Sequence, residues 1–214
     1  MPLRAASDSP RDEMPTSRVL RLPESDLSVV QALKDGHRVG AARLFDRYHV
    51  HVRRVLLHVL GPDTELADLI QEVFLSAIDS IGGLRDPSAL KSWLSSVAVH
   101  TARKHLRHRK RMRLFDLFPA DDPPERVDPN AFDPETDEAV RATYRVLDSL
   151  STEDRLVFAL RYIDGRELAD LAVLCESSVS TIKRRLSRAT ERFAKSARRE
   201  ASLEGFLKTA PWNR

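Results

Sequence analysis

Residues 167–189 read ELADLAVLCESSVSTIKRRLSRA, and this stretch decides the fold class. A short segment with helical periodicity is followed by a turn of four residues and then by a longer periodic segment. The apolar positions of the second segment continue beyond the quoted stretch and fall on one helical face: Val179, Ile182, Leu186, Ala189 and Phe193. Two helices joined by so short a turn have the layout of a helix-turn-helix. The turn carries Glu176 where glycine is often preferred for a positive backbone φ.

The opposite face of the second helix is polar and cationic. At about 100° per residue, it presents Ser180, Arg184, Ser187 and Arg188, flanked by Thr181 and Lys183. Such a face at a helix N-terminus suits the major groove of DNA, because the first side chains reach base edges and Lys183 and Thr181 can hold phosphate. The pattern leaves one alternative open, which is an ordinary helical hairpin with a solvated outer face.

Helical periodicity also runs through the rest of the chain, and no stretch alternates for long enough to predict a strand. We therefore expect an all-α fold with two small helical domains joined by an acidic, proline-rich flexible linker, the second domain ending in the helix-turn-helix. The expected parts are a disordered extension at 1–24, a first domain at 25–113, the linker at 114–138, a second domain at 139–199 and a tail at 200–214.

Capping residues mark the expected helix ends. Gly36 and Gly165 stand where helices should end, and Ser151 and Asp86 stand where helices should begin. Pro87 then falls in the first turn, where its missing N–H costs nothing.

Basic residues are concentrated in two segments, although the formal net charge of the 214 residues is only +3. Residues 100–113 hold seven Lys or Arg and no acid, and residues 183–199 hold eight with a single Glu. Two separate basic patches indicate a polyanion contacted at two places, and nucleic acid is the commonest such partner. Charge alone leaves open the alternative of two solvated helix faces.

The predicted third helix contains DLIQEVFL at 68–75 and is amphipathic. Its inward positions are apolar: Leu66, Leu69, Ile70, Val73 and Ala77. Its outward positions are Asp68, Gln71, Glu72 and Leu75. An acidic face with an apolar residue in it could dock on another protein, but the pattern alone favours a solvated face.

Several classes of protein are disfavoured by what the sequence lacks. No run approaches about 18 apolar residues and no signal-peptide core is present, so we expect a soluble, cytoplasmic protein. No glycine-rich phosphate loop, zinc-protease motif or nucleophile elbow is found. His100, His105 and His108 have no cysteine or carboxylate beside them, which argues against zinc. We expect no catalytic residues, no metal and no cofactor.

With these pieces in order, the chain resembles bacterial RNA polymerase sigma factors of the extracytoplasmic-function (ECF) group of the sigma-70 family. The resemblance runs from about Asp26 to Ala197. It is carried, in this order, by GAARLFDRYHVHVRRVL, LADLIQEVFLSAI, LKSWLSSVAVHTARKHLRHRKR, LSTEDRLVFALRYIDGRELADLAVL and STIKRRLSRA. The order and spacing of these five segments indicate the family more specifically than any single segment does.

The resemblance implies a protein that binds core RNA polymerase and directs promoter recognition and transcription initiation, without catalysis of its own. It implies as partners core RNA polymerase, through the beta-prime clamp coiled coil and the beta flap, promoter DNA, and an anti-sigma factor. The implied polymerase-binding residues are Asp68, Gln71 and Glu72. For the minus-ten element they are Leu84, Arg85, Asp86, Ser88, Arg103, Lys104, Arg107, Arg109 and Lys110. For the minus-thirty-five element they are Ser180, Thr181, Lys183, Arg184 and Arg188.

Four positions depart from the family pattern. His100 and Lys104 stand where the family commonly has asparagine and aspartate, and Cys175 and Glu176 stand where it often has leucine and glycine. The aspartate-to-lysine change removes a partner for a neighbouring arginine, so we expect the basic helix to be held differently here. The competing hypothesis is a conventional helix-turn-helix regulator that acts without core polymerase. A nucleic-acid enzyme would need an organised carboxylate or histidine site, which the sequence does not show.

Overall fold

The computed structural model describes residues 25–115 and 134–213, and every regular element in these two ranges is helical. The expectation of an all-α fold is confirmed. The α-helices are α1 (Asp26–Lys34), α2 (Arg38–Leu60), α3 (Leu66–Ser80), α4 (Leu90–Phe115), α5 (Pro134–Asp148), α6 (Thr152–Tyr162), α7 (Leu168–Leu174), α8 (Val179–Ala197) and α9 (Glu204–Thr209). Short 3₁₀ turns occupy Ile81–Gly83, Pro87–Ala89, Ala201–Leu203 and Pro211–Asn213. The predicted extension at 1–24 and most of the predicted linker lie outside the described residues.

The predicted caps are present at the helix ends. The Ser151 hydroxyl accepts a hydrogen bond from the Asp154 backbone N–H at 3.1 Å, and Asp86 accepts one from the Ser88 backbone N–H at 2.9 Å. Gly36 and Gly165 follow α1 and α6 with φ of 74° and 76°. These ends were predictable because a cap is a contact between residues close in sequence.

Helices α1–α4 form what we call the amino-terminal unit. Helix α2 packs against α1, α3 and α4. Its buried side chains meet the apolar first half of α4 in one core: Leu44, Val52, Leu56, Leu90, Leu94 and Ala98. The second half of α4 carries the basic run and extends away from this core.

Helices α5–α9 form the carboxy-terminal unit, whose centre is aromatic. The rings of Phe158 and Phe193 stack at 4.5 Å between centroids. Trp212 of the tail lies against Phe158 and Tyr162, at 5.3 and 4.9 Å. The tail therefore packs back on α6 and α8 and extends this core.

The two units are joined at the C-terminal end of α2. The buried guanidinium of Arg155 donates to the carbonyls of Val59 at 3.0 Å and Leu60 at 2.7 Å. The Tyr144 hydroxyl lies 3.0 Å from the Leu57 carbonyl and 3.1 Å from that of His58. The last carbonyls of a helix lack partners inside the helix, so the carboxy-terminal unit supplies them here.

Gly61 permits this junction. Its φ of 78° favours glycine, and a Cβ at this position would lie 2.5 Å from Cγ of Tyr144. A side chain at Gly61 would therefore displace the tyrosine ring that spans the two units.

The turn of the helix-turn-helix adopts the positive φ that the sequence predicted, although the residue is not glycine. Glu176 has a φ of 50°. Its backbone N–H donates to the Val173 carbonyl at 3.1 Å and that of Ser177 to the Ala172 carbonyl at 2.9 Å, which closes the end of α7. The prediction that Val179 lies on the buried face of α8 is wrong, because it is 41% exposed where the helix begins.

Replacing Glu176 tests the cost of this turn. A left-handed conformation costs a residue with a Cβ about 1–2 kcal/mol, and the extra freedom of glycine in the unfolded chain offsets about 0.4–1 kcal/mol of that. We expect Glu176→Gly to raise the free energy of unfolding in urea by a net amount on the order of 1 kcal/mol. Ser177→Gly, one position on, is the matched control and should not stabilise the protein. If Glu176→Gly were less stable than the wild type, the left-handed conformation assigned to Glu176 would be contradicted.

Candidate nucleic-acid interface

The second half of α4 presents the basic run, and much of it faces the carboxy-terminal unit. Arg107 Nη2 lies 2.8 Å from Glu153 Oε1, and Arg113 Nη2 lies 3.1 Å from Asp148 Oδ2. The Lys110 ammonium donates to the Leu150 carbonyl. Arg107 and Lys110 of the predicted minus-ten set, and Arg113 beyond it, therefore contact polar groups of α5, of α6 and of the turn between them.

Two of the arginines predicted to contact the minus-ten element, Arg103 and Arg109, are less exposed than Arg107. Arg103 is only 8% exposed; it donates from Nη2 to the Cys175 carbonyl at 3.3 Å, and its Nε lies 3.5 Å from Glu153 Oε1 without a hydrogen bond. Arg109 lies 2.9 Å from Asp63 Oδ2 and 3.8 Å from Asp148 Oδ2. Arg103 cannot reach DNA while the two units remain in this arrangement.

Lys104 and His100, the two departures on α4, are both exposed. Lys104 Nζ lies 2.8 Å from Glu72 Oε1 on α3. An aspartate at position 104 would face Glu72 with like charge, and the neighbouring Arg103 and Arg107 use Glu153 instead. The basic helix is thus held both by Glu72 of its own unit and by Glu153 of the carboxy-terminal unit. Beside it an open cationic groove of about 520 Å³ is lined by His100, Arg103, Lys104, Arg107, Lys110 and Arg111, with Thr152 at its edge.

The loop before α4 divides into exposed and buried residues. Arg85, Asp86 and Ser88 are exposed, and hydrogen bonds from the Ser88 side chain and backbone lower the pKa of Asp86. Leu84 is different: its side chain lies in the core, and its carbonyl accepts a hydrogen bond from Lys34 at 2.8 Å. The assignment of Leu84 to the DNA-contacting set is corrected, because its side chain is part of the packing that positions Arg85.

The outward face of α3 has the predicted arrangement. Asp68 and Gln71 are exposed, and Leu75 is 63% exposed between acidic neighbours. Glu72 is half-buried by its contact with Lys104. Leu69, Val73 and Ala77 lie inward in the core. The acidic face and the basic helix are therefore neighbouring surfaces of one unit.

The recognition face of α8 is exposed at its N-terminal end. Ser178 caps the helix by accepting from the Thr181 backbone N–H at 3.2 Å. Ser180, Lys183 and Arg184 are exposed, whereas Thr181 is half-buried. These side chains form an exposed polar and cationic face at the N-terminal end of α8.

Arg188 has a partner that the sequence did not predict. Its Nε lies 2.9 Å from Oδ2 of Asp154 and its Nη2 lies 2.6 Å from Oδ1, which makes a bidentate pair. Burial opposes the charge of Asp154, but the hydrogen bonds from Arg188 and Ser151 hold the pKa of Asp154 below its ordinary value. The same pairing raises the pKa of Arg188. Arg188 anchors α8 on α6 in addition to facing outward.

The described parts of the chain contain no group of three or more His, Cys, Asp or Glu side chains placed to hold a metal ion. None of their helices is long and apolar enough to cross a membrane. Cys175 is buried, and burial raises the pKa of its thiol.

Two basic helices, one of them within a helix-turn-helix, define a helical DNA-binding protein. A family model described as Sigma-70 region 2 matches residues 44–112, and one described as Sigma-70, region 4 matches residues 141–193. Together they span more than half of the chain, one in each unit. The chain belongs to the sigma-70 family of RNA polymerase sigma factors and to its ECF group.

Similar curated proteins are ECF sigma factors. SigX of Bacillus subtilis is 28% identical over 145 residues, covering 65% of this chain and 74% of SigX. SigM of Mycobacterium tuberculosis is 28% identical over 192 residues, covering 88% of this chain and 89% of SigM. The sigma-E factor of Escherichia coli K12 is 24% identical over 181 residues, covering 78% and 91%.

Two solved structures share the fold. CnrH, solved in complex with the cytosolic domain of CnrY, has a TM-score of 0.56 at 19% identity, covering 83% of this chain and 100% of CnrH. RpoE of Bartonella quintana, solved with the anti-sigma factor NepR, has a TM-score of 0.55 at 20% identity, covering 74% and 97%. At these identities the likeness concerns the fold.

The pair of Asp154 and Arg188 should make stability depend on pH. Asp154→Asn should lower the free energy of unfolding at pH 7 by about 1.5–3 kcal/mol, the usual contribution of hydrogen bonds to a charged group. Because the pKa of Asp154 is depressed in the folded state, its contribution is complete above the ordinary aspartate pKa of about 3.9 and is lost as the pH falls through the lower folded pKa.

Urea unfolding between pH 7 and pH 3.5 measures this effect. The difference between the wild type and Asp154→Asn should be constant down to about pH 4 and then narrow. Asp170→Asn, at an exposed position on α7, is the control and should change little at any pH. A difference that widens at low pH would contradict the assigned pairing.

Proposed function

We propose that this sigma factor binds core RNA polymerase through the outward face of α3 and directs it to promoters through α4 and α8, acting in the cytoplasm and catalysing no reaction itself. The observation that carries the proposal is the placement of an exposed acidic face beside a basic helix within one unit, linked by Glu72 and Lys104. A conventional regulator that acts without polymerase has no need of that acidic face and is not favoured.

The polymerase contact is assigned to Asp68, Gln71, Glu72 and Leu75. The exposed Leu75 lies among acidic and amide side chains, and an apolar residue ringed by polar ones is the usual make-up of a protein docking site. In the polymerase, the partner surfaces are the beta-prime clamp coiled coil for this unit and the beta flap for the carboxy-terminal unit.

Promoter contact is assigned to both units. In the amino-terminal unit the proposed minus-ten residues are Arg85, Asp86, Ser88, Lys104, Arg107, Arg109 and Lys110. Arg103 belongs to this set only in an arrangement of the two units that exposes its side chain. Leu84 positions the loop. In the carboxy-terminal unit Ser180, Thr181, Lys183 and Arg184 contact the minus-thirty-five element, and Arg188 positions the helix. The predicted domains at 25–113 and 139–199 remain the proposed functional parts, joined by the predicted linker at 114–138. The carboxy-terminal unit is longer than the second of these domains, because α5 begins at Pro134 and the tail packs on α6 and α8.

An anti-sigma factor is the proposed regulator. The two solved relatives support it, since RpoE is described with an anti-sigma factor and CnrH with the cytosolic domain of CnrY. The exposed basic and acidic faces of this chain offer such a protein charged surfaces to cover.

Substitutions on α3 test the polymerase contact. Asp68→Ala combined with Glu72→Ala should weaken binding to core polymerase by ~10-fold or more, since truncation of central interface residues costs 2 kcal/mol or more. Asp35→Ala combined with Asp46→Ala removes two exposed acids outside α3 and is the matched control. Transcripts started in vitro from genomic fragments provide the functional measurement. Specific promoter binding without polymerase, unaffected by the α3 substitutions, would instead favour the conventional regulator.

Substitutions on α8 separate phosphate contact from base contact. Lys183→Gln in the holoenzyme should weaken all promoters alike and flatten the slope of log affinity against log salt by about 0.9, the effect of one lost phosphate contact. Arg184→Gln should relax selectivity at one base pair at a cost of about 1–3 kcal/mol. Filter binding over a range of salt concentrations and a promoter library measures both. If Lys183→Gln and Arg184→Gln had the same effects on salt dependence and on promoter selectivity, the assignment of Lys183 to phosphate contact and Arg184 to base contact would be contradicted.

A further inference from the structure

We propose that Val179, the first residue of α8, reads a thymine of the minus-thirty-five element by contact with the C5-methyl group of that base in the major groove. This inference rests on the proposed function of α8 and adds a specificity-determining residue to it. It is carried by an apolar side chain that the sequence pattern placed in the core and that lies instead in solvent, on the face proposed to meet DNA.

The position of Val179 on α8 is the first observation. The valine begins the helix and is 41% exposed, whereas Ile182, the next apolar residue of the same predicted face, is fully buried. At about 100° per residue, the side chains that share an arc of about 140° with the valine are Lys183, Ser187, Ser180 and Arg184, and all of them are exposed. Val179 is therefore the apolar edge of the cationic face and not a part of the core.

The second observation is that the start of α8 is fixed by its own hydroxyl groups. The Ser178 hydroxyl accepts from the Thr181 backbone N–H at 3.2 Å and donates to Thr181 Oγ1 at 3.0 Å, and it lies 2.9 Å from the Ser180 hydroxyl. A β-branched side chain in a helix has one strongly preferred χ1 rotamer. Val179 thus presents its methyl groups in a fixed direction, and a side chain that is already fixed loses little conformational entropy on binding.

Thymine is the base that suits this side chain. The valine side chain has no hydrogen-bond donor or acceptor, so it cannot read the polar groups of base edges, whereas the C5-methyl group of thymine is read by apolar contact. An exposed valine elsewhere on the surface would need no explanation. Val179, however, lies one helical turn before Lys183, which is assigned to phosphate contact, so both side chains meet the same groove.

Helix stability does not explain the valine, because valine is a poorer helix former than alanine. Its exposed side chain also adds little to the packing of the unit. We therefore expect Val179→Ala to unfold in urea at the same concentration as the wild type, so that any change in DNA binding comes from the lost contact.

Deoxyuridine tests the contact, because its base is thymine without the C5-methyl group. The probe is a promoter duplex selected from a random library by wild-type holoenzyme, with each thymine of its minus-thirty-five element replaced singly by deoxyuridine. One replacement should weaken wild-type binding ~4-fold, the equivalent of about 0.8 kcal/mol for one buried methyl-sized group. The slope of log affinity against log salt should not change, since a methyl contact neutralises no phosphate.

Val179→Ala should weaken binding to the unmodified duplex by a similar factor. Because both changes remove the same contact, Val179→Ala should be nearly insensitive to the replacement that weakens the wild type. Val173→Ala is the matched control, since it makes the same substitution at a valine that is 70% exposed on α7. It should keep the wild-type response to deoxyuridine.

A wild type that is insensitive to every deoxyuridine replacement would overturn the inference, and so would a selected element that contains no thymine. A loss that is equally large in Val179→Ala would also overturn it, because another residue would then read the methyl group. The proposed function is judged separately by the selection itself. Holoenzyme that enriches no promoter sequence contradicts the proposed function and this inference with it, whereas enriched promoters that ignore the methyl group contradict this inference alone.

Discussion

The most deeply buried guanidinium at the junction of the two units belongs to Arg155. Arg155 comes from α6, yet its hydrogen bonds end on the last carbonyls of α2, which have no partners within their own helix. Burial lowers the pKa of Arg155, while the adjacent Asp148 favours its charged form. Removing the guanidinium would leave the carbonyls of Val59 and Leu60 without these donors, at a cost of about 1–3 kcal/mol for each unsatisfied group. The placement of α6 over α4 depends on this contact.

The first turn of α6 is the point at which the separate functions meet. Ser151 caps the helix, Glu153 contacts the cations of α4, and Asp154 anchors α8 through Arg188. Acidic side chains in a first helical turn also interact favourably with the helix dipole. One short segment thus stabilises its own helix, contacts the basic half of α4 and anchors α8.

Sequence patterns predicted the features that local chemistry controls. Helix faces follow from apolar spacing and caps from neighbouring residues. The turn position of Glu176, where glycine is often preferred, does have a positive φ. Patterns could not predict that Arg103 and Arg155 are buried against the carbonyls of Cys175 and Val59, or that Arg188 binds Asp154, because these partners lie 34 to 96 residues away along the chain. A basic residue in a sequence is taken as solvated until tertiary contacts show otherwise. Leu84 was wrongly assigned to the DNA-contacting set, because an apolar residue in a loop can still belong to the core.

The fit between Gly61 and Tyr144 limits how freely the two halves can be exchanged among relatives. The absence of a side chain in one unit makes room for a ring from the other. Neither position carries this property alone, because the space at Gly61 and the ring of Tyr144 have to match each other. A chimera that takes its second module from another sigma factor retains the junction only when a compatible aromatic residue comes with it, so modules cut from different family members are not interchangeable by default.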